Sequence, residues 1–385
     1  MLTGINFSPP LYFLFNFCIQ LIFPTSIEQL RIQSLIFIII GIILSFLITR
    51  NLFGNVTAFI ATILVASQSN ILLSQAQEAR HYAMFFACGA WVLYMQSLNE
   101  VALRKYWGIT FISHFCLCQV HYLGIVFSAL IGLSYLISNK EKAIIKKIPF
   151  PIITSWIISI PTYLFFLSKQ SSHLGNWPKP NGLLNLTSSY NDSILILTIL
   201  IPCLTLILTN KLNRDTETLL KKETYCSKPI IITSMLWFCV PIIFWIISHL
   251  TPLNLFVDRY FIPKEVAVTV LVAYGLSFIL QKLPQHKFKS IFALGTFGLS
   301  LVLILISTKR AAFGLSKDTN YHHSLIIDES HLTPEQPIIL EGDPKYFPNA
   351  YLGKNQYHFD LKNSKFKKTY LKFSKKIQLI DTSAK

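Results

Sequence analysis

The residues able to do chemistry stand in four short stretches: Ser8-Pro9-Pro10-Leu11-Tyr12, Ser74-Gln75-Ala76-Gln77-Glu78-Ala79-Arg80-His81-Tyr82, His121-Tyr122 and Asp258-Arg259-Tyr260. A longer segment, Lys169 to Asp192, adds His173, Trp177 and Lys179. A guanidinium presents a fork matched to phosphate oxygens, and Arg80 and Arg259 supply one each. A carboxylate or an imidazole can move a proton, which makes Glu78, Asp258, His81 and His121 candidates for acid or base. Tyrosine rings settle at headgroup depth, and Tyr12, Tyr82, Tyr122 and Tyr260 accompany the polar residues. Such a set suits a substrate that is part lipid and part phosphate. On a helix, residues three and four apart are neighbours, so Gln77, Glu78 and His81 would share a face while Arg80 points away from Glu78. A plainer reading stands beside this one: Glu78 at a helix start complements the helix dipole, and Arg80 snorkels to headgroups.

The elements that must position these residues are apolar. The chain is 52% hydrophobic and 14% charged, with a mean hydropathy of +0.49. Its apolar residues run in blocks of roughly twenty instead of amphipathic stripes, as membrane-spanning helices require. We read about ten spans: Arg31–Thr49, Val56–Leu73, His81–Leu98, Tyr106–Val120, Leu123–Ser138, Pro149–Ser168, Ser193–Thr209, Pro229–Leu250, Ile262–Leu280 and Lys289–Thr308. The stretch Tyr106–Ser138 predicts a tight helical hairpin turning near His121.

Charge orients the spans. Alternate loops carry Arg50, then Arg104 and Lys105, then Lys140, Lys142, Lys146 and Lys147, then Lys211, Arg214, Lys221, Lys222 and Lys228, then Lys282, Lys287 and Lys289. The opposite loops carry only Arg80, Lys169, Lys179, Arg259 and Lys264, so the positive-inside rule puts the first set in the cytoplasm. All the candidate site residues then fall on the extracytoplasmic side. The net charge of +16 would suit nucleic acid in a soluble protein; here it reports topology, and no nucleic-acid partner is expected.

The fold class predicted is an all-α polytopic membrane protein with a small α/β extracytoplasmic appendage. Residues 1-30 form an extracytoplasmic or juxtamembrane segment, 31-308 the transmembrane domain and 309-385 the C-terminal region. In the last of these, Gln336–Leu340 and Lys376–Ile380 read as strands and Tyr346–Leu352 as a helical turn. The basic run Lys365, Lys367, Lys368, Lys372, Lys375 and Lys376 reads as a solvated tail, or one that touches acidic headgroups. Cys116 and Cys118 form a C-x-C, but buried apolar thiols explain it better than a metal. His114 and Tyr94, inside spans, read as packed core residues.

At Gln77-Glu78-Ala79-Arg80-His81-Tyr82-Ala83 the sequence resembles the bacterial polyprenyl-phosphate-dependent glycosyltransferases of the C-type membrane fold, the relatives of protein mannosyltransferases and aminoarabinose transferases, which often carry Q-E-A-R-x-Y-A there. Ser8-Pro9-Pro10-Leu11-Tyr12 is similar to that family's H-P-P-L-Y, and Leu30-Arg31 with Arg50-Asn51-Leu52-Phe53-Gly54 to its R-L-P and R-x-L-F-G. Val120-His121-Tyr122-Leu123-Gly124 is similar to T-H-Y-F-G, and Asp258-Arg259-Tyr260-Phe261-Ile262-Pro263 to P-R-Y-L-L-P. The departures are Ser8 for His, His81 for Met or Pro, and Asp258 for Pro.

The resemblance implies an enzyme of the bacterial plasma (inner) membrane, multi-pass. It would move a sugar from a polyprenyl-phosphate donor to an acceptor hydroxyl of a glycan, lipid or protein. Arg80 and Arg259 would contact the phosphate, while Tyr12, His81, Tyr82, His121, Tyr122 and Tyr260 would line the cavity. In the family a span and an acidic outer loop precede P-P-L-Y and supply the presumed base and the ligands of any divalent metal. The sequence here starts just before that segment, so we expect Glu78 or Asp258 to substitute, or an upstream extension to supply the loop. The alternatives are a transporter or lipid flippase, which would show ionisable residues near the bilayer midplane, and a truncated inactive relative.

Overall fold

A computed structural model of the chain describes residues 9–23, 27–78, 80–98, 105–138, 149–170, 182–190, 217–251 and 256–282, and six short strands between 325 and 380. The chain divides into two compact units, Met1–Ile304 and Leu305–Lys385.

The described part of the first unit is helical. Its elements are α1 (Leu11–Gln20), α2 (Ile27–Phe53), α3 (Asn55–Gln68), α4 (Asn70–Gln77), α5 (Tyr82–Ser97), α6 (Trp107–Val120), α7 (Gly124–Ser138), α8 (Phe150–Gln170), α9 (Gly182–Tyr190), α10 (Glu217–Leu250), a 3-10 turn (Asp258–Phe261) and α11 (Lys264–Lys282). By length and apolarity Gln29–Phe53 and Lys228–Leu250 can each cross a bilayer, and α3 and α4 could make one more crossing despite a 67° bend between them. The expected spans Ser193–Thr209 and Lys289–Thr308 lie outside the described residues, as do His173, Trp177 and Lys179. The break between α6 and α7 falls at His121–Leu123, where the sequence predicts the turn.

Helix α2 shows why these segments fold as they do. Ser34, Ile38, Gly41, Ser45 and Ile48 recur at alternating steps of four and three and are buried on one face. That face meets α5, and Gly41 is needed there because a methyl group on it would come within 2.3 Å of the Phe86 ring. The opposite face carries Ile32, Ile36, Ile39, Ile40 and Ile43, all exposed. Polar side chains inside and isoleucine outside is the distribution expected where lipid, not water, surrounds the helices. Some buried polar groups pair across helices: Gln96 Nε2 donates to Ser134 Oγ at 3.1 Å and to Thr233 Oγ1 at 3.0 Å, tying α5, α7 and α10 together. His114 packs inside as expected, with Nδ1 2.7 Å from Ser128 Oγ. Cys118 is buried and Cys116 partly so, and both are free thiols.

Among the described residues two apolar clusters hold the unit together. The larger joins α2, α5, α6, α7 and α10 around Phe85, Phe127, Trp237 and Phe261, with Trp237 Nε1 donating to the Phe127 carbonyl at 2.9 Å. The smaller packs Ile60, Ala61 and Leu64 of α3 on Val268, Val272 and Leu276 of α11. Gly54 links α2 to α3 at φ 83°, a backbone region that favours glycine.

The second unit is a six-stranded sheet: β1 (Leu325–Ile327), β2 (Ile338–Glu341), β3 (Asn349–Leu352), β4 (Asn355–Asp360), β5 (Lys365–Lys368) and β6 (Ile377–Ile380), in the order β1-β3-β4-β5-β6-β2. β1 runs parallel to β3 and β2 parallel to β6, and the other neighbours are antiparallel. Both expected strands are present and pair with each other. Two expectations are corrected. The helical turn at Tyr346–Leu352 is strand from Asn349, because Asn349–Leu352 pairs antiparallel with Asn355–His358 in the register Leu352↔Asn355. The basic run is not wholly a tail, since Lys365–Lys368 is an interior strand of the sheet. Among the described residues this unit is all strand.

Candidate active site

Ser69 begins the site. Its backbone is extended, its hydroxyl accepts from Leu72 N–H at 3.3 Å, and the bend it caps turns α4 away from α3. Helix α4 thereby presents Asn70, Ile71, Ser74 and Gln75 to an open cleft of about 420 Å³, and Glu78 follows them. The other wall comes from Val257, Asp258 and Arg259 before and within the 3-10 turn, and from Ser189 on α9. The turn is fixed by Phe261, fully buried behind it, and by Phe256 N–H, which donates to Ser248 Oγ at 3.0 Å. Two carboxylates and a guanidinium thus face one cavity.

The helical geometry expected for Gln77–His81 is corrected. Helix α4 ends at Gln77, and Glu78 is extended at φ −84°, ψ 131°. Its carbonyl accepts from Ser34 Oγ at 2.7 Å, which pins the segment to α2. Glu78 therefore follows a helix C-terminus and gains nothing from a helix dipole. Without helical twist Arg80 turns back, and its Nε lies 3.7 Å from Glu78 Oε2 in a partly exposed ion pair. Arg80 is not among the residues lining the cleft, whereas Arg259 is.

Behind Arg259 lies a box of rings. Arg259 Nε donates to Tyr82 Oη at 3.1 Å, and its Cζ sits 5.6 Å from the centre of that ring. His121 stacks on Tyr122 at 4.2 Å, Phe85 at 4.8 Å and His81 at 5.3 Å between centroids. Tyr260 leans on His121 at 4.8 Å, and Tyr12 meets His81 edge-on at 6.0 Å. All six residues expected to line the cavity join this box, though they are not among those lining the cleft itself. The α6–α7 turn that carries His121 is clamped by Tyr163 of α8, whose hydroxyl lies 2.9 Å from the carbonyl oxygens of both Cys118 and His121. That hydroxyl also accepts from Ile125 N–H at 3.2 Å.

Burial governs the charges here. Withdrawal from water pushes the Asp258 carboxyl above its usual range, and Lys264 and Arg259 pull it back in part. Burial also drives His121 well below 6.5, helped by His81 and Arg259, so its ring is neutral. Sequence reasoning missed one pair. Lys264 and Glu265, at the start of α11, are fully buried and form an ion pair, with Lys264 Nζ 5.4 Å from the Tyr190 ring centre. Lys264 reads from sequence as a loop cation; the adjacent opposite charges directly after Pro263 were the available signal. Ser189 and Asn70 carry no such signal.

The fold has a counterpart of known structure. The crystal structure of ArnT from Cupriavidus metallidurans bound to undecaprenyl phosphate superposes with a TM-score of 0.50 at 12% identity, covering 86% of this chain and 72% of that one. The two chains share a fold. No protein-family profile matches the sequence, and no curated protein matches it. At that identity the likeness to ArnT concerns the backbone and leaves residue roles to the site itself. The apolar helices and this likeness make the chain a membrane protein. Among the described residues no group of three or more His, Cys, Asp or Glu side chains could hold a metal ion, so Glu78 and Asp258 do not by themselves fit the divalent cation that the resemblance allows.

Proposed function

We propose that this protein is a multi-pass glycosyltransferase of the bacterial inner membrane. It moves a sugar from a polyprenyl-phosphate donor to an acceptor hydroxyl of a cell-envelope glycan, lipid or protein on the extracytoplasmic face. The observation that carries the reading is the cleft in which Glu78, Asp258 and Arg259 converge. The fold shared with a protein crystallised with undecaprenyl phosphate supports it. About ten spans and an extracytoplasmic sheet unit belong to the same reading, through the alternation of loop charge.

In this mechanism Asp258 takes the proton of the acceptor hydroxyl. The freed oxygen pair attacks the anomeric carbon, and the bond from that carbon to the phosphate oxygen breaks. The phosphate leaves with the bonding electrons, and the charge it gains is met by Arg259. Asp258 suits the base because its raised pKa strengthens it, while Glu78 is engaged with Arg80. Glu78 holds Arg80 at the cleft's edge, where Arg80 adds a second positive charge for an arriving anion.

A transfer assay tests this. Membranes containing the chain, and membranes containing a version extended to any upstream start codon, receive radiolabelled polyprenyl-phosphate sugars. Label reaching a hydroxyl acceptor is the expected result. Transfer by neither form would overturn the reading in favour of a transporter or an inactive relative.

A further inference from the structure

His121 is fully buried, and one of its two ring nitrogens is already used. Leu123 N–H donates to Nδ1 at 3.1 Å. A ring nitrogen that accepts carries no hydrogen, so the neutral imidazole holds its proton on Nε2. That Nε2 is buried and has no hydrogen-bond partner. An orphan buried donor is unfavourable, and structures retain one chiefly where something else completes it. Here the arrangement is braced on every side. Tyr163 holds the turn, and Phe85, Tyr122, Tyr260 and His81 fix the ring plane.

What completes an N–H donor is an acceptor, and its neighbours say which kind. Arg259 is tied to Tyr82, whose ring lies 5.8 Å from that of His121. His81 Nε2, on the ring stacked against His121, is likewise buried without a partner. A neutral donor separated from a guanidinium by the Tyr82 ring matches an anionic oxygen better than a hydroxyl, because one negative charge can then meet both groups. We propose that His121 is a neutral hydrogen-bond donor to the phosphoryl group of the lipid donor, its Nε2–H completing the set that Arg259 begins. This rests on the lipid-phosphate reading given above. His121 acts by donating without titrating, since a base or acid role would need Nδ1 free.

The test titrates the full chain in detergent with undecaprenyl phosphate and, separately, with the polyprenol that lacks the phosphate. His121→Phe keeps the stacking and removes the donor, and it should weaken phosphate binding about tenfold while leaving polyprenol binding unchanged. His121→Gln places an amide N–H near the Nε2 position and should stay within roughly threefold of wild type. In 15N-histidine-labelled wild type, the His121 Nε2–H resonance should be present without ligand and move downfield on adding the phosphate. If His121→Phe fails to fold, that resonance decides alone, and no movement refutes the inference. Equal loss of phosphate and polyprenol binding in His121→Phe would reduce the ring to packing, and an Nδ1–H tautomer would also overturn the inference. Normal wild-type binding with an unaffected His121→Phe sinks this inference only; wild type binding neither lipid sinks the lipid-phosphate reading with it.

Discussion

Gly124→Ala should disable the site from a position that touches no ligand. A Cβ on Gly124 would stand 2.0 Å from the Leu117 carbonyl oxygen, 2.6 Å from its carbon and 3.0 Å from Cys118 Cα. Ordinary contact begins near 3.4 Å, and all three atoms are backbone in the last turn of α6, so no side chain can swing aside. The turn must open by roughly 1.4 Å, and overpacking of that kind costs about 1–3 kcal/mol. Opening it also strains the Tyr163 hydroxyl bonds to Cys118, His121 and Ile125, each worth about 1 kcal/mol. Alanine's better helix propensity returns up to about 1 kcal/mol, which leaves a net loss of about 2–4 kcal/mol. Unfolding in mild detergent would measure the loss, and undecaprenyl phosphate titration would report whether His121 has moved. Gly108→Ala is the control, since nothing lies within 4 Å of its added methyl group. If Gly124→Ala unfolds with Gly108→Ala and binds lipid as wild type does, the close approach of α6 and α7 is refuted.

Three further outcomes are expected. Asp258→Asn should lower transfer by about 100-fold or more while donor binding holds; in wild type the rate should rise as Asp258 loses its proton, so the acid limb should lie above the usual carboxylate range, and a limb near 4 would contradict the assignment. Lys264→Met should destabilise by about 3–5 kcal/mol, because it strands Glu265 as an unpaired buried charge, whereas Lys264→Met with Glu265→Leu should recover most of the loss in an unfolding titration. With the other cysteines replaced, Cys226 should resist an impermeant maleimide in intact cells while a cysteine at exposed Gln77 is labelled, and the reverse pattern would invert the topology.

Which residues come together was more legible in the sequence than how they are held. The α6–α7 break at His121 could be read because Tyr106–Ser138 is too long for one crossing, and His114 could be placed because a lone imidazole amid apolar residues packs inward. The local geometry of Glu78–His81 could not, since Ser34 on another helix holds the Glu78 carbonyl and ends the helical path; Arg80 and Glu78 meet as a result. The Lys264–Glu265 pair escaped because burial is a tertiary property, and charges beside a proline look like a loop until the neighbours of α11, Tyr190 among them, are in place. The strand at Asn349–Leu352 is set by its pairing with β4, a partner that local propensity does not reveal.

The hydrogen bond from Arg259 to Tyr82 joins residues separated by 177 positions. A ribosome delivering this chain into a membrane therefore releases Glu78 and His121 long before the turn that carries Asp258 and Arg259. During that interval the Tyr82 hydroxyl lacks the guanidinium that meets it in the finished fold, and only late translation supplies it. Chains that stall before residue 257 should be the ones that membrane proteases recognise, so truncation from the C-terminal side should show up as scarcity of protein instead of as inactive protein.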